Sequence, residues 1–248
     1  MKPDPHPGAT PIDELVTANR ILAREGVIDS FGHVSMRDPA DPRRFLLSRS
    51  RAPQQVEPRD IMRFALDGSV VGDDAAKPYA ERFIHAAIYE RRPEVLSVVH
   101  THSPSVVPFT VVSRRMRPIM HMCAPIGSDI PCWDIRHRFG DTNLLVTRLE
   151  IGHDLADALG ERNVALMRGH GCVVTGRSLR EAVFTAVYME VNAAMLTQAL
   201  ALAEGPEDIV YLSEGEIEAI SKGRSSFGID RAWENWCLRA NRPFFAQV

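Results

Sequence analysis

The sequence predicts an α/β fold in which helices cover a mixed or antiparallel sheet. Apolar runs of strand length arrive in pairs with no helix between them, as in Val164–Met167 followed by Cys172–Thr175, a pattern that parallel winding does not produce. The loops that mark parallel nucleotide-binding and hydrolase folds are absent: there is no Gly-x-Gly-x-x-Gly, Walker-type loop or Gly-x-Ser-x-Gly elbow. At 248 residues the chain reads as a single domain, 1–248, with a core of ordinary size.

Met1–Thr10 is Pro-rich and lacks an apolar segment, so it reads as a flexible arm and not as a signal peptide. Thr10, Pro11 and Asp13 form an N-cap, a first-turn proline and an acidic first turn; Ile12, Leu15, Val16, Asn19 and Leu22 follow helical spacing, and Gly26 stops the helix. Val27–Arg37 and Arg44–Ser48 read as strands, and Phe64–Val71 as a hairpin around Asp67-Gly68. A helix over Ala80–Arg91 ends before Pro93, and the apolar run Val95–Val99 begins the next strand. Ser103-Pro104 starts a short helix, and residues 114–142 read as irregular. Leu144–Thr147 is predicted as a strand and Ile151–Leu159 as a helix, ahead of the strand pair. Ser178-Leu179-Arg180-Glu181 is a capping-box pattern opening a helix to about Ala203, with shorter helices over Glu214–Lys222 and Ala232–Arg239.

Composition excludes several classes. The formal charge of −3 offers no basic field for nucleic acid, although Arg43, Arg44, Arg49 and Arg51 cluster in a way that suits a small anion. The apolar stretch Ala182–Ala203 carries Glu190, Asn192 and Gln198, which fits a buried or intersubunit helix and not a membrane span. Cys123, Cys132, Cys172 and Cys237 form no Cys-x-x-Cys and are expected as free thiols of a cytoplasmic protein.

The chemistry concentrates in His100-Thr101-His102, at the end of an apolar run. Side chains at i and i+2 of a strand leave the same face, so the two imidazoles converge as half of a transition-metal site. A His-x-His pair also occurs as an ordinary polar strand end. His170 lies between Gly169 and Gly171 after a second apolar run, where glycines permit close approach, and Glu81 opens a helix. Three His and one Glu are a set able to hold a divalent cation and move a proton beside it, as a metal-dependent lyase requires.

These motifs bring the chain close to a known family. Phe31-Gly32-His33-Val34-Ser35, Leu47-Ser48-Arg49-Ser50, Pro78-Tyr79-Ala80-Glu81, His100-Thr101-His102-Ser103 and Gly169-His170-Gly171 occur in the order found in the class II aldolase/adducin family, which the chain resembles over roughly residues 11–205. The resemblance implies a class II aldolase-like fold, with a mixed, largely antiparallel sheet between helix layers, and a homotetramer with sites near subunit interfaces. It also implies His100, His102 and His170 as metal ligands and Glu81 as the acid/base residue.

The departures from the family pattern bear on substrate. Sugar-phosphate aldolases of the family carry Gly-Asn-Val-Ser and a Thr-Pro-Ser/Thr-Gly loop for phosphate; here His33 replaces the Asn, and Ser48-Arg49-Ser50-Arg51 replaces the loop. A guanidinium fork suits a carboxylate. The Gly-His-Val-Ser and Leu-Ser-Arg-Ser forms, with Glu81–His85, resemble the family's decarboxylase branch, which removes CO₂ from hydroxylated aromatic dicarboxylates with a divalent metal such as Mn²⁺. Zn²⁺, Co²⁺ and Fe²⁺ suit the same donors. The expected partner is thus a small aromatic dicarboxylate, with no nucleic acid or membrane. In this reading Glu81 is a general acid whose pKa is raised by burial, while His33, Ser48, Arg49 or Arg51, and His121 line the substrate pocket. His85 reads as a packed helix residue or a partner behind the site. Two alternatives are an aldolase or epimerase acting on an unphosphorylated hydroxy-acid or ketose, and a non-catalytic scaffold.

Overall fold

The computed structural model describes residues 10–72, 75–223 and 226–244; apart from Thr10, the N-terminal arm lies outside them. Helix α1 (Pro11–Arg24) starts as its sequence demands: the Thr10 hydroxyl accepts from the Asp13 N–H, and the Asp13 carboxylate accepts from the Thr10 N–H. Gly26 follows with φ +72°, the left-handed conformation that ends helices at glycine.

Seven strands form one sheet in the order β3-β2-β1-β4-β7-β6-β5. They are β1 (His33–Arg37), β2 (Arg44–Ser48), β3 (Ile61–Ala65), β4 (Ser97–Thr101), β5 (Cys132–Trp133), β6 (Val164–Met167) and β7 (Gly171–Gly176). Every pairing is antiparallel except β5 with β6, so the sheet is mixed and largely antiparallel as expected. The two-residue alternation sorts the core. Val98 and Val173 face one apolar layer with α2 (Arg82–Arg91) and α4 (Leu149–Leu159), while Val99 and Val174 face the other with α1 and α5 (Leu179–Leu202). The short α3 (Arg136–Phe139) and the C-terminal α6 (Glu214–Gly223) and α7 (Ser226–Arg239) are the remaining α-helices among the described residues. No helix among the described residues is long and apolar enough to cross a membrane, and α5 is buried along much of its length. The four cysteines are free thiols.

Several boundaries differ from expectation for physical reasons. Val27–Gly32 is not strand, because the Asp29 carboxylate accepts from the Phe31 and Gly32 N–H groups and turns the chain. Leu144–Thr147 is not strand either: Leu144 adopts φ +65°, and the segment's backbone groups go to the site described below. The segment read as irregular supplies β5. At α5, Ser178 accepts from the Glu181 N–H, but Glu181 reaches back to the Arg177 N–H, one residue earlier than a capping box places it.

The strand pairing that delivers the histidines requires close backbone approach at Gly171. A Cβ there would lie 1.9 Å from the Thr101 carbonyl oxygen, between His100 and His102. Gly171→Ala must therefore push β4 from β7. The expected loss is about 3 kcal/mol or more, a fall of about 6–12 °C in Tm for a chain of this size. Thermal unfolding checks it, and an unchanged Tm would contradict the packing.

Candidate metal centre and its cavity

His100 is the fourth residue of β4 and shares the parity of Val98, so its imidazole faces α2 and is completely buried. His102 follows beyond the strand end. His170 sits in the tight connection from β6 to β7, where Gly169 at φ +63° provides the left-handed turn. Glu81 is the residue on which α2 begins, and its side chain makes no capping bond, leaving it to point into the same space. One ligand atom from each of Glu81, His100, His102 and His170 lies within 4.8 Å of all the others. The His100 and His102 Nε2 atoms are 3.2 Å apart, and Glu81 Oε2 lies 3.7 Å from His100 Nε2 and 3.6 Å from His170 Nε2.

The hydrogen bonds behind the rings determine which nitrogens face this centre. His100 Nδ1 donates to the Cys172 carbonyl at 3.1 Å, His170 Nδ1 to the Leu144 carbonyl at 3.0 Å, and His102 Nδ1 to the Asp29 carboxylate at 3.2 Å. Each partner only accepts, so each Nδ1 carries a hydrogen and each Nε2 is the nitrogen that faces inward, where it can offer its lone pair to a cation. Burial, with the neighbouring Glu81 opposing it, holds the His100 pKa down at about 3 and keeps that ring neutral. Lone pairs this close repel one another unless a cation lies between them, and three imidazole nitrogens with one carboxylate oxygen suit a divalent transition metal. The donor set fits the ion.

Glu81 behaves differently from expectation. Burial pushes its carboxyl up, but the neighbouring His170 and His100 and the donating Val146 N–H outweigh burial and bring it down to about 2. It is therefore a carboxylate at neutral pH. The Leu144–Thr147 segment that fails to form a strand thus contributes the Leu144 carbonyl to His170 and the Val146 N–H to Glu81.

A cavity of about 360 Å³ opens onto these groups, lined by Glu81, His102, His170, His33, Arg51 and Tyr79, with Phe31 and Leu145 on its apolar walls. Of the substrate-pocket candidates, His33 and Arg51 are present. Arg49 and Arg51 both pair with the buried Asp60, at 2.6 Å and 3.1 Å, so two guanidinium groups share one carboxylate and leave one positive charge over. Arg51 lines the cavity and Arg49 does not. Ser48 is wholly buried, and among the described residues its hydroxyl has no hydrogen-bond partner; the Tyr79 phenol donates to the Arg51 carbonyl. His121 stands elsewhere: it lines a separate, largely apolar cavity with Met122 and Phe184 of α5 and Ile229 of α7. Its flanking apolar residues belong to the opposite layer, so an imidazole between them follows that layer.

Sequence reasoning missed Asp29, Asp60 and Tyr79. Asp29 carried a usable signal, since Asp-x-x-Gly before a strand is an Asx-turn pattern.

Comparison with known proteins agrees with this geometry. The family model for the Class II Aldolase and Adducin N-terminal domain matches residues 13–197. The decarboxylase tropJ of Talaromyces stipitatus is 33% identical over 250 residues, covering 93% of this chain and 94% of its own. The 3,4-dihydroxyphthalate decarboxylase of Arthrobacter keyseri is 27% identical over 244 residues, covering 94% of each chain. Among solved structures, an aldolase II superfamily protein from Pseudomonas syringae superposes with a TM-score of 0.76 at 19% identity over 94% of each chain, a likeness of fold. The chain therefore belongs to the class II aldolase and adducin family, and resembles decarboxylases of that family along nearly its whole length.

Proposed function

We propose that this protein is a divalent-metal-dependent carboxy-lyase that removes CO₂ without oxidation from a hydroxylated aromatic dicarboxylate. The proposed substrates are 3-hydroxy-2-methylpyridine-4,5-dicarboxylate, decarboxylated at position 4 in vitamin B6 degradation, and a dihydroxyphthalate. The observation that carries the reading is the presence in one cavity of a His₃Glu cluster and, beside it, Arg51 and His33 in place of a phosphate loop. The names of the two relatives support it, one of them acting on a dihydroxyphthalate. Mn²⁺ is the proposed ion. A cytoplasmic homotetramer is proposed on the family's habit.

A divalent ion held by His100, His102 and His170 supplies Lewis acidity toward a ring hydroxyl oxygen. Glu81, already ionised, takes the proton that this hydroxyl gives up and delivers it to the ring carbon bearing the departing carboxylate. The electrons of the breaking C–C bond return to the ring as CO₂ leaves, so one proton replaces one CO₂. Arg51 and His33 hold the second carboxylate and fix the ring against the centre. Phe31, Tyr79 and Leu145 cover its faces and exclude water.

A panel of ortho-hydroxylated pyridine and benzene dicarboxylates, assayed for CO₂ release with Mn²⁺ and with chelator, tests the reading. Release that needs the ion is expected. Retro-aldol release of an aldehyde from a hydroxy-acid or ketose, with no CO₂ from any member, would replace it with the aldolase reading.

A further inference from the structure

Behind the cavity wall lies a chain of buried polar groups that metal binding does not use. His33 Nδ1 is 2.6 Å from His85 Nε2, His85 Nδ1 is 2.6 Å from the Ser35 hydroxyl, and that hydroxyl is 2.8 Å from the Tyr89 hydroxyl. His33 and Ser35 share a face of β1, and His85 and Tyr89 lie four residues apart on α2, so two short-range periodicities align the four groups. All four side chains are essentially inaccessible to water.

Water cannot reorient these groups, so their own donors and acceptors fix the direction of every bond. Among the described residues the Tyr89 hydroxyl hydrogen-bonds to the Ser35 hydroxyl and to no other acceptor, so in this dry site the Tyr89 proton goes to Ser35. Ser35 must then donate to His85 Nδ1. His85 therefore carries its hydrogen on Nε2 and donates it to His33 Nδ1, and the His33 hydrogen is left on Nε2, the nitrogen free for the cavity.

We propose that His85, Ser35 and Tyr89 are positioning residues that lock His33 as an Nε2–H donor, and so set the cavity to receive an anionic oxygen beside Arg51. The assignment rests on the reading of this cavity as a carboxylate site. It also explains why two histidines besides the three of the metal centre are buried on this side of the sheet: burial lowers both and keeps them neutral, as a directed chain requires.

Two measurements on the Zn²⁺-loaded protein, whose ion is diamagnetic, test the proposal: ¹⁵N NMR of the imidazole nitrogens and calorimetric binding of phthalate, a dicarboxylate with no hydroxyl to react. In the unsubstituted protein His33 is expected as the Nε2–H tautomer. His85→Leu and Ser35→Ala should mix or reverse that tautomer and weaken phthalate by about tenfold with zinc content unchanged. His85→Gln, whose amide can donate to His33 and accept from Ser35, should restore both. A proton on His33 Nδ1 in the unsubstituted protein, or an Nε2–H tautomer that survives both His85→Leu and Ser35→Ala, overturns the proposal. If phthalate fails to bind the unsubstituted protein, the carboxylate-site reading falls, while the tautomer still decides whether the chain directs His33.

Discussion

Glu81→Gln will reduce turnover by about 10²–10⁴-fold, the usual contribution of a positioned proton-transfer group, while the protein stays folded and keeps its ion. The amide oxygen can still accept from the Val146 N–H, so the start of α2 and the Leu144–Thr147 segment retain their connection. What the variant loses is the ionised carboxylate that receives the proton given up by the substrate: the native carboxyl, held down at about 2, is charged before the reaction, and the amide has no basic form. The choice of Gln separates two roles that geometry leaves together. Glu81 Oε2 lies within 3.7 Å of two imidazole nitrogens, so it is placed both to ligate and to carry a proton. If activity falls and the metal content measured by atomic absorption stays at one ion per chain, the three imidazoles suffice for binding and Glu81 serves the proton. If metal and activity disappear together, Glu81 is the fourth ligand. Wild-type turnover in a metal-loaded variant removes it from the chemistry.

The parts of this centre that were legible in the sequence are those that local periodicity controls. Alternation along a strand puts His100 on one face with Val98, whereas the pairing His33↔His100 across β1 and β4 was not legible. The start of α2 at Glu81 is legible because Pro78 and the helical spacing after it delimit the helix. Long-range partners were not. Asp60, which pairs with Arg49 and Arg51, lies in a short turn before β3 with no periodic signature. The raised pKa expected for Glu81 came from burial alone, and burial is indeed the largest influence. Its sign is overturned by the two neighbouring rings, His170 and His100, and by a backbone N–H from a segment 65 residues away. Leu144–Thr147 shows the same limit from the other side. Its apolar residues have strand composition, but its backbone groups find better partners in His170 and Glu81 than in a sheet edge.

Acid will destabilise this protein from pH 6.5 downward, and the buried imidazoles are the reason. His85 and His100 have folded-state pKa values of about 3 against an ordinary 6.5, in both cases because burial penalises the charged ring. Above pH 6.5 both rings are neutral folded or unfolded and acid costs nothing. As the pH falls below 6.5 the unfolded chain takes up two protons that the folded chain refuses until about pH 3, so stability drops across that window by about 1.4 kcal/mol per pH unit for each ring. By pH 4.5 the two together remove about 5 kcal/mol, the lower end of the whole stability of a typical domain. His33 shifts in the same direction, and Glu81 adds its own loss below 4.5 as the unfolded carboxyl becomes protonated before the folded one. Urea midpoints measured at intervals from pH 7.5 to 5 should be level above 6.5 and then fall with an uptake of at least two protons on unfolding. His85→Gln should remove about one proton from that uptake while retaining the polar chain. A midpoint that stays level down to pH 5 would mean that these rings accept protons inside the folded protein, and the neutral, inward-facing lone pairs on which the metal centre depends would then be absent.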